Sequence, residues 1–189
     1  MQPVPVSHEH TSATELIIEF NQLDTTSKWY TDILIEYANK LDVRHVAECG
    51  VFQGMSTAAF LSCDIDKLDS YDIDLSLVYR PMFNRVKGDK EWNLERKNSL
   101  KDSVGEVDLL FLDTMHTYEH VKQEIFFQGP NAKRYIIVHD ANYPPPRKNP
   151  TIWVRDAVKE FVSENNDLWK IVVDSTEGTG IMVLERMAP

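Results

Sequence analysis

The chain has 189 residues, enough to bury a core without disulfides or a structural metal, and we expect a single domain over 1–189. Its net charge of −10 argues against a nucleic acid or an anionic membrane as the partner, because both would repel it. Two cysteines, Cys49 and Cys63, are too few for a secreted disulfide framework. The sequence shows no signal-peptide pattern and no apolar run of membrane-spanning length. We therefore expect a cytoplasmic protein.

Hydrophobic periodicity predicts alternating helices and strands, with an N-terminal arm and two helices in 1–42 before a core at 43–189. The predicted helices lie at 12–22, 28–41, 56–61, 76–86, 116–127 and 153–162. The predicted strands lie at 46–47, 67–71, 92–97, 107–112, 134–138, 169–173 and 180–184. The last two strands flank a Ser/Thr/Gly turn and read as an antiparallel hairpin. The pattern predicts an α/β fold with a mostly parallel sheet and helices on both faces.

A glycine turn follows the first strand. The segment 44–61 reads as a strand ending at Glu48, a turn with Gly50 and Gly54, and a helix from about Ser56. Such a turn lets the backbone approach a nucleotide closely. A dinucleotide pyrophosphate normally needs the tighter Gly-x-Gly-x-x-Gly pattern, and Glu48 would repel it. The turn therefore favours a cationic or zwitterionic nucleoside.

Acidic residues recur at the predicted strand ends, namely Glu48, Asp72, Asp113 and Asp140. In open α/β sheets, ligands bind beyond the carboxyl ends of the strands, so these residues predict a binding site at one edge. Asp72 follows the glycine turn by about twenty residues, the spacing of an acid that binds a ribose diol. Asp74 is the alternative if the strand ends later.

Three motifs, in this order, resemble those of class I S-adenosylmethionine-dependent methyltransferases. They are Glu48-x-Gly50-x-x-x-Gly54-x-Ser56-Thr57, then Asp113-Thr114-Met115-His116-Thr117-Tyr118, and then Ile136-Ile137-Val138-His139-Asp140 with the helix that follows. The second motif is similar to the Asp-x-x-His-x-Tyr signature of a branch that includes sugar and small-molecule O-methyltransferases and relatives of cephalosporin-biosynthesis enzymes. The resemblance covers about residues 43–184. It implies a Rossmann-like methyltransferase sheet and S-adenosyl-L-methionine as the cofactor.

The resemblance also implies which residues contact the cofactor. They are Glu48, Gly50, Gly54, Ser56, Asp72, Asn98, Ser99 and Asp113. Many relatives have an acidic residue before the serine, so Asn98 is a departure at the place where the adenine is bound.

In metal-dependent members of the family, an acid at the position of Asp113 and acidic or amide residues after the fifth strand hold a divalent cation such as Mg²⁺. Asp140 and Asn142 fit the second group, although His139 stands where some relatives have another acid. An acceptor hydroxyl must also lose its proton, to a base or through metal coordination. His116 is the first candidate base and His139 the second, and a packing or capping role suits each equally well.

We expect a methyltransferase that modifies a hydroxyl of a sugar or another small-molecule acceptor. The alternative is a non-catalytic S-adenosylmethionine-binding or interaction protein that keeps the fold. A nicotinamide-dependent oxidoreductase is disfavoured because the Gly-x-Gly-x-x-Gly pattern is absent. Tyr118 and Tyr143 are candidates to flank the acceptor, and the proline-rich loop 144–150 is a candidate lid. The hairpin and the N-terminal helices offer surfaces for a homodimer.

Overall fold

The computed structural model describes residues 3–142 and 153–187, so Tyr143 and the predicted lid at 144–150 lie outside the described residues. The helices are α1 (Ala13–Leu23), α2 (Lys28–Ala38), α3 (Met55–Leu61), α4 (Arg80–Val86), α5 (Tyr118–Gln128) and α6 (Val154–Glu164). The strands are β1 (His45–Cys49), β2 (Lys67–Asp72), β3 (Glu91–Arg96), β4 (Val107–Leu112), β5 (Ala132–His139), β6 (Trp169–Ser175) and β7 (Ile181–Arg186). No helix among the described residues is both long and apolar enough to cross a membrane.

The strands form one sheet in the order β3-β2-β1-β4-β5-β7-β6. Strands β1 to β5 are parallel. Strand β7 runs antiparallel between β5 and β6, which confirms the predicted hairpin. The strand order reverses direction between β1 and β4, and ligands of open α/β sheets bind beside such a switch point.

Helices cover both faces of the sheet. On one face, Phe20 of α1, Phe60 of α3 and Phe83 of α4 belong to one buried hydrophobic cluster. On the other face, Ile125 of α5 and Phe161 of α6 belong to a second cluster. The sheet is therefore packed against helices on both of its faces.

The helix starts follow local chemistry. Helix α5 begins at Tyr118, not at His116 as predicted, because Thr117 is its N-cap and its hydroxyl accepts a hydrogen bond from the N–H of His120. Helix α4 begins at Arg80, later than predicted, with Pro81 in its first turn. Proline suits that place because the first N–H groups of a helix have no partner inside it.

The connection from β3 to β4, residues 97–106, contains no helix, whereas the other connections between consecutive strands from β1 to β5 each contain one. Its backbone is held instead by Gln128 at the end of α5, a fully buried residue. The amide of Gln128 donates to the carbonyl oxygens of Ser99 and Asp102, at 2.5 and 2.9 Å, and accepts from the N–H of Val104 at 3.1 Å. A single buried side chain thus fixes the loop that carries Asn98 and Ser99.

Candidate active site

A cavity of about 710 Å³ lies at the carboxyl ends of the parallel strands. That volume is in the range of small-molecule and cofactor pockets. The residues predicted from the sequence that line it are Gly50, Ser56, Asp72, Asn98, Ser99, Asp113, His116, His139 and Asp140. The sheet therefore brings most of the predicted site residues into one space.

The two glycines of the turn after β1 have different roles. Gly50 has φ +94°, and a Cβ there would lie 1.9 Å from the carbonyl oxygen of Asp113, so only glycine lets the turn pass the end of β4. Gly54 has φ +93°, and a Cβ there would lie 2.3 Å from the ring of Phe83. Gly54 does not line the cavity and packs against Phe83, and its predicted contact with the cofactor stays a prediction.

Glu48 occupies a different place from the one predicted. It lies within β1, fully buried, and its carboxylate accepts hydrogen bonds from the hydroxyls of Ser56 (2.7 Å), Thr57 (2.5 Å) and Ser70 (2.6 Å). Strand β1 continues to Cys49, so the Glu48 side chain lies against α3 and does not line the cavity. These hydrogen bonds hold α3 against the sheet, and one of the three partners, Ser56, lines the cavity.

Asp72 lies at the end of β2 and lines the cavity, as does Asp74. Its Oδ2 accepts hydrogen bonds from the N–H groups of Val51 and Phe52, at 2.7 and 3.0 Å. Its Oδ1 accepts from the N–H of Asp74 at 3.0 Å. A carboxylate oxygen accepts more than one hydrogen bond, so Asp72 joins the glycine turn to β2 and keeps capacity for a ligand hydroxyl.

Asn98 and Ser99 line the cavity on the loop after β3. The Oδ1 of Asn98 accepts a hydrogen bond from the N–H of Leu100 at 3.0 Å, so this side-chain oxygen closes its own turn. Ser99 is nearly buried, and its carbonyl oxygen is bound by Gln128. The predicted adenine contact by these two residues stays a prediction.

Two carboxylates and two imidazoles meet at the ends of β4 and β5. His116 lies between the carboxylates, with Nε2 3.2 Å from Oδ1 of Asp113 and Nδ1 2.6 Å from Oδ2 of Asp140. The Nδ1 of His139 lies 3.2 Å from the same Asp113 oxygen and 3.5 Å from Oδ1 of Asp140. The sequence predicts Asp113 and Asp140 at one edge of the sheet and His116 and His139 as candidate bases, and the structure brings all four into one cluster.

The cluster changes the protonation of its members. Burial alone would lower the pKa of His116, but the hydrogen bonds and charges of Asp113 and Asp140 outweigh it and raise the pKa to about 10. Burial would raise the pKa of Asp113, but the charge of His139 and the hydrogen bond from His116 hold it well below its usual range. The pKa of His139 is raised too, because Asp113 outweighs the effect of burial. In this state His116 is a cation that donates both ring N–H groups, and it must lose a proton before it can act as a base.

Asp113, His139 and Asp140 each offer a ligand atom, and these atoms lie within 4.8 Å of one another. Carboxylate and imidazole together suit a divalent transition metal, and the carboxylates alone suit Mg²⁺. The residues therefore fit a divalent cation, which would compete with His116 for the carboxylates. Asn142, the third predicted ligand, does not line the cavity, and its backbone N–H binds the carbonyl oxygen of Thr179.

The N-terminal segment also contributes to the cavity, through Val4, Phe20 and Tyr30. The buried Tyr30 stacks at a tilt on His139, with 4.2 Å between ring centroids. The side-chain amide of Gln53 binds the backbone of Val4 in both directions, accepting from its N–H at 2.7 Å and donating to its carbonyl oxygen. The sequence predicts Val4 in a loose arm and Phe20 and Tyr30 in two helices that either cover the cofactor crevice or add a layer to the sheet, since no local pattern shows which strand end a helix will cover.

No family model matches the sequence. No curated protein matches it. Solved structures do match the fold. The SAH-bound magnesium protoporphyrin IX methyltransferase from Synechocystis has a TM-score of 0.67 at 12% identity, over 86% of this chain and 84% of that one.

Two further structures cover almost the whole chain. An O-methyltransferase from Bacillus cereus in complex with SAH has a TM-score of 0.64 at 12% identity, over 97% of this chain and 92% of that one. An SAH-bound methyltransferase from Podospora anserina has a TM-score of 0.63 at 13% identity, over all of both chains. At such identities the likeness establishes the fold alone. The chain has a Rossmann-like methyltransferase fold, as the sequence predicted.

Proposed function

We propose that this chain is an S-adenosylmethionine-dependent O-methyltransferase that modifies a hydroxyl of a sugar or another small molecule. The observation that carries the proposal is the cluster of His116, Asp113, Asp140 and His139 in the same cavity as Gly50. A place for a nucleoside cofactor and a group of acid–base side chains thus share one space. The narrower assignment to the branch with the Asp-x-x-His-x-Tyr signature rests on the sequence motif.

Methyl transfer requires mainly that the protein position the acceptor against the cofactor. Methyl transfer from a sulfonium is an in-line displacement, so holding the acceptor oxygen close to the methyl group supplies much of the acceleration. Asp72 would bind the ribose hydroxyls of the cofactor, and the carboxylate of Asp113 would lie beside the sulfonium and attract its positive charge. Tyr30, stacked on His139, would exclude water from the acceptor side.

The acceptor hydroxyl loses its proton during the reaction. We assign the acceptance of that proton to His116 once it is neutral, with His139 as the second candidate. A divalent cation held by Asp113 and Asp140, with His139 or Asn142, would supply a lower pKa for a bound hydroxyl. Separate His116→Asn and His139→Asn variants distinguish the two bases by their pH–rate profiles, since only loss of the group that accepts the proton removes the corresponding titration from the profile of kcat.

The test is turnover. The protein is incubated with S-adenosylmethionine and a panel of sugars, phenols and small hydroxylated acceptors, with Mg²⁺ and with EDTA, and methylated product is detected by mass spectrometry. We expect product with the full chain and its loss with Asp113→Ala. Asp89→Ala, at an exposed position in the loop before β3, is the matched control and should keep full activity. Full activity of Asp113→Ala would remove this residue from the site.

The alternative is a protein that binds S-adenosylmethionine without transferring its methyl group. The observation in its favour is that His116 already fills the space between the two carboxylates as an internal counter-ion. Tight cofactor binding without product from any acceptor, with or without metal, would favour this alternative.

A further inference from the structure

Helix α5 carries a polar stripe on its buried side. His120, Glu124 and Gln128 are spaced by four residues, so they lie one above another on the helix. Glu124 and Gln128 are fully buried. Buried polar groups are costly unless they are bonded, so such a stripe calls for partners. Gln128 has its partners in the backbone of the loop after β3.

Of the two carboxylate oxygens of Glu124, one has a hydrogen-bond partner among the described residues and the other has none. Its Oε2 accepts a hydrogen bond from the hydroxyl of Thr114 at 2.8 Å. Its Oε1 lies 3.9 Å from Nε2 of His120, too far for a hydrogen bond. Within residues 3–142 and 153–187, neither of these two buried atoms has another hydrogen-bond partner. The carboxylate and the imidazole therefore face each other.

This pairing determines what His120 offers on its other side. A carboxylate that faces Nε2 favours the tautomer with the proton on that nitrogen, which leaves Nδ1 as a hydrogen-bond acceptor. His120 lines the cavity, and its side chain is 18% exposed. His120 is therefore a side chain of the cavity wall whose tautomer is set by its contact with Glu124, which Thr114 holds in turn.

The acceptor expected beside the adenine is also weaker than a carboxylate, because it is a neutral amide that already accepts one hydrogen bond. Asn98 replaces the acid of many relatives, and its oxygen is used by the N–H of Leu100. His120 lines the same cavity as Asn98 and Leu100, and its stripe partner Gln128 holds the loop that carries them.

We propose that His120, positioned by Glu124 and Thr114, recognises the purine of the cofactor by accepting a hydrogen bond from its 6-amino group at Nδ1. This inference rests on the proposed function, because it assigns one end of the same cavity to the adenine. The residue makes the site specific for a 6-amino over a 6-oxo purine. A site built around a hydrogen bond discriminates strongly against a ligand that lacks the matching group.

The test compares two ligands that differ at this group. S-adenosylhomocysteine carries the 6-amino donor, and S-inosylhomocysteine carries a 6-oxo acceptor instead. Titration calorimetry of the full chain should show S-adenosylhomocysteine binding at least about tenfold more tightly, the size of one well-placed hydrogen bond. His120→Leu should bring the two affinities to within about twofold of each other, and Glu124→Gln should reduce the preference in the same direction.

His45→Gln is the matched control. The Nε2 of His45 also pairs with a nearly buried carboxylate, Asp69 at 2.7 Å, but neither residue lines the cavity. This variant should keep the preference of the unmodified chain. Thermal melts check that every variant folds, and if His120→Leu does not fold, Glu124→Gln decides.

Equal affinity of the unmodified chain for the two ligands overturns the inference and leaves the proposed function standing. An undiminished preference in a folded His120→Leu or, where that variant does not fold, in Glu124→Gln overturns it too. If S-adenosylhomocysteine does not bind at all, the proposed function falls together with the inference.

Discussion

Asp140, directly after β5, lines the cavity in a backbone conformation that most residues other than glycine avoid. Asp140 has φ +54°, a left-handed conformation that costs a non-glycine residue about 1–3 kcal/mol. The next N–H groups, of Ala141 and Asn142, bind the carbonyl oxygens of Gly180 and Thr179 and keep the chain in place. The hairpin turn thus supports the carboxylate that contacts His116.

Gly50→Ala should be strongly destabilising, because its Cβ would collide with the backbone of Asp113 and its φ is positive. We expect a loss of about 3 kcal/mol in the free energy of unfolding, measured by urea denaturation. Gly105→Ala is the matched control, since Gly105 has φ +74° with nothing within 4 Å of a Cβ. It should cost only about 1–2 kcal/mol. Equal losses at both positions would show that the close approach to Asp113 is unimportant.

Glu48 should make stability depend on pH. Burial raises its pKa to about 7, from a normal value of 4.5, despite hydrogen bonds from Ser70, Thr57 and Ser56. Between these two values the folded chain keeps a proton that the unfolded chain has released, so the contribution of Glu48 to stability falls as pH rises from about 4.5 to 7. Glu48→Gln lacks this titration.

The stability of the unmodified chain relative to Glu48→Gln should therefore fall by up to about 3 kcal/mol across that interval. Urea denaturation at several pH values measures it. Parallel stability profiles for the two proteins would mean that the carboxylate is ionised throughout.

Asp72→Ala should weaken the affinity for S-adenosylhomocysteine by at least about tenfold, the size of a hydrogen bond to a charged group, with the fold retained. Asp74→Ala is the control, because Asp74 also lines the cavity but follows the strand end by two residues. Calorimetry compares the two variants. A loss confined to Asp74→Ala would move the ribose contact to that residue.

At the scale of elements, the backbone of the loop between β3 and β4 is held by Gln128, a side chain at the end of α5. Gln128→Leu removes three hydrogen bonds to its backbone and should cost about 2 kcal/mol of stability and weaken S-adenosylhomocysteine binding. Asn131→Ala is the control, since the side-chain amide of Asn131 donates hydrogen bonds to the hydroxyl of Ser103 and to the oxygen of Gln128, at 3.2 and 3.3 Å. Urea denaturation and calorimetry measure both effects. Unchanged binding by Gln128→Leu would separate this loop from the cofactor.

The types of the elements could be predicted because the hydrophobic patterns are clear, for example the nearly continuous apolar run of β4. The polar stripe of α5 could not, because Glu124 and Gln128 have the sequence character of exposed helix residues and are buried only through their partners in other segments. The close approach of Gly50 to Asp113 likewise joins positions far apart in the chain. Spacing alone does not reveal such contacts.

At the scale of the whole molecule, the parallel sheet explains why the predicted acids come together. Asp72 is the last residue of β2, Asp113 and Asp140 follow the ends of β4 and β5, and all three line one cavity. Glu48 is predicted at the end of β1 on the same rim, but the strand continues to Cys49, and the Glu48 side chain is hydrogen-bonded to α3. A strand boundary is the least certain feature of a sequence-based prediction. Successive side chains of a strand point to opposite faces, and Glu48, one residue before the strand end, points to the face that α3 covers.

The central claim is that this cavity binds a sulfonium nucleoside and not a dinucleotide. Titration calorimetry of the full chain with S-adenosylmethionine and, separately, with NAD⁺ tests it directly. We predict saturable one-to-one binding of S-adenosylmethionine and no binding of NAD⁺ at the same concentrations. Binding of NAD⁺ with no response to S-adenosylmethionine would contradict the account.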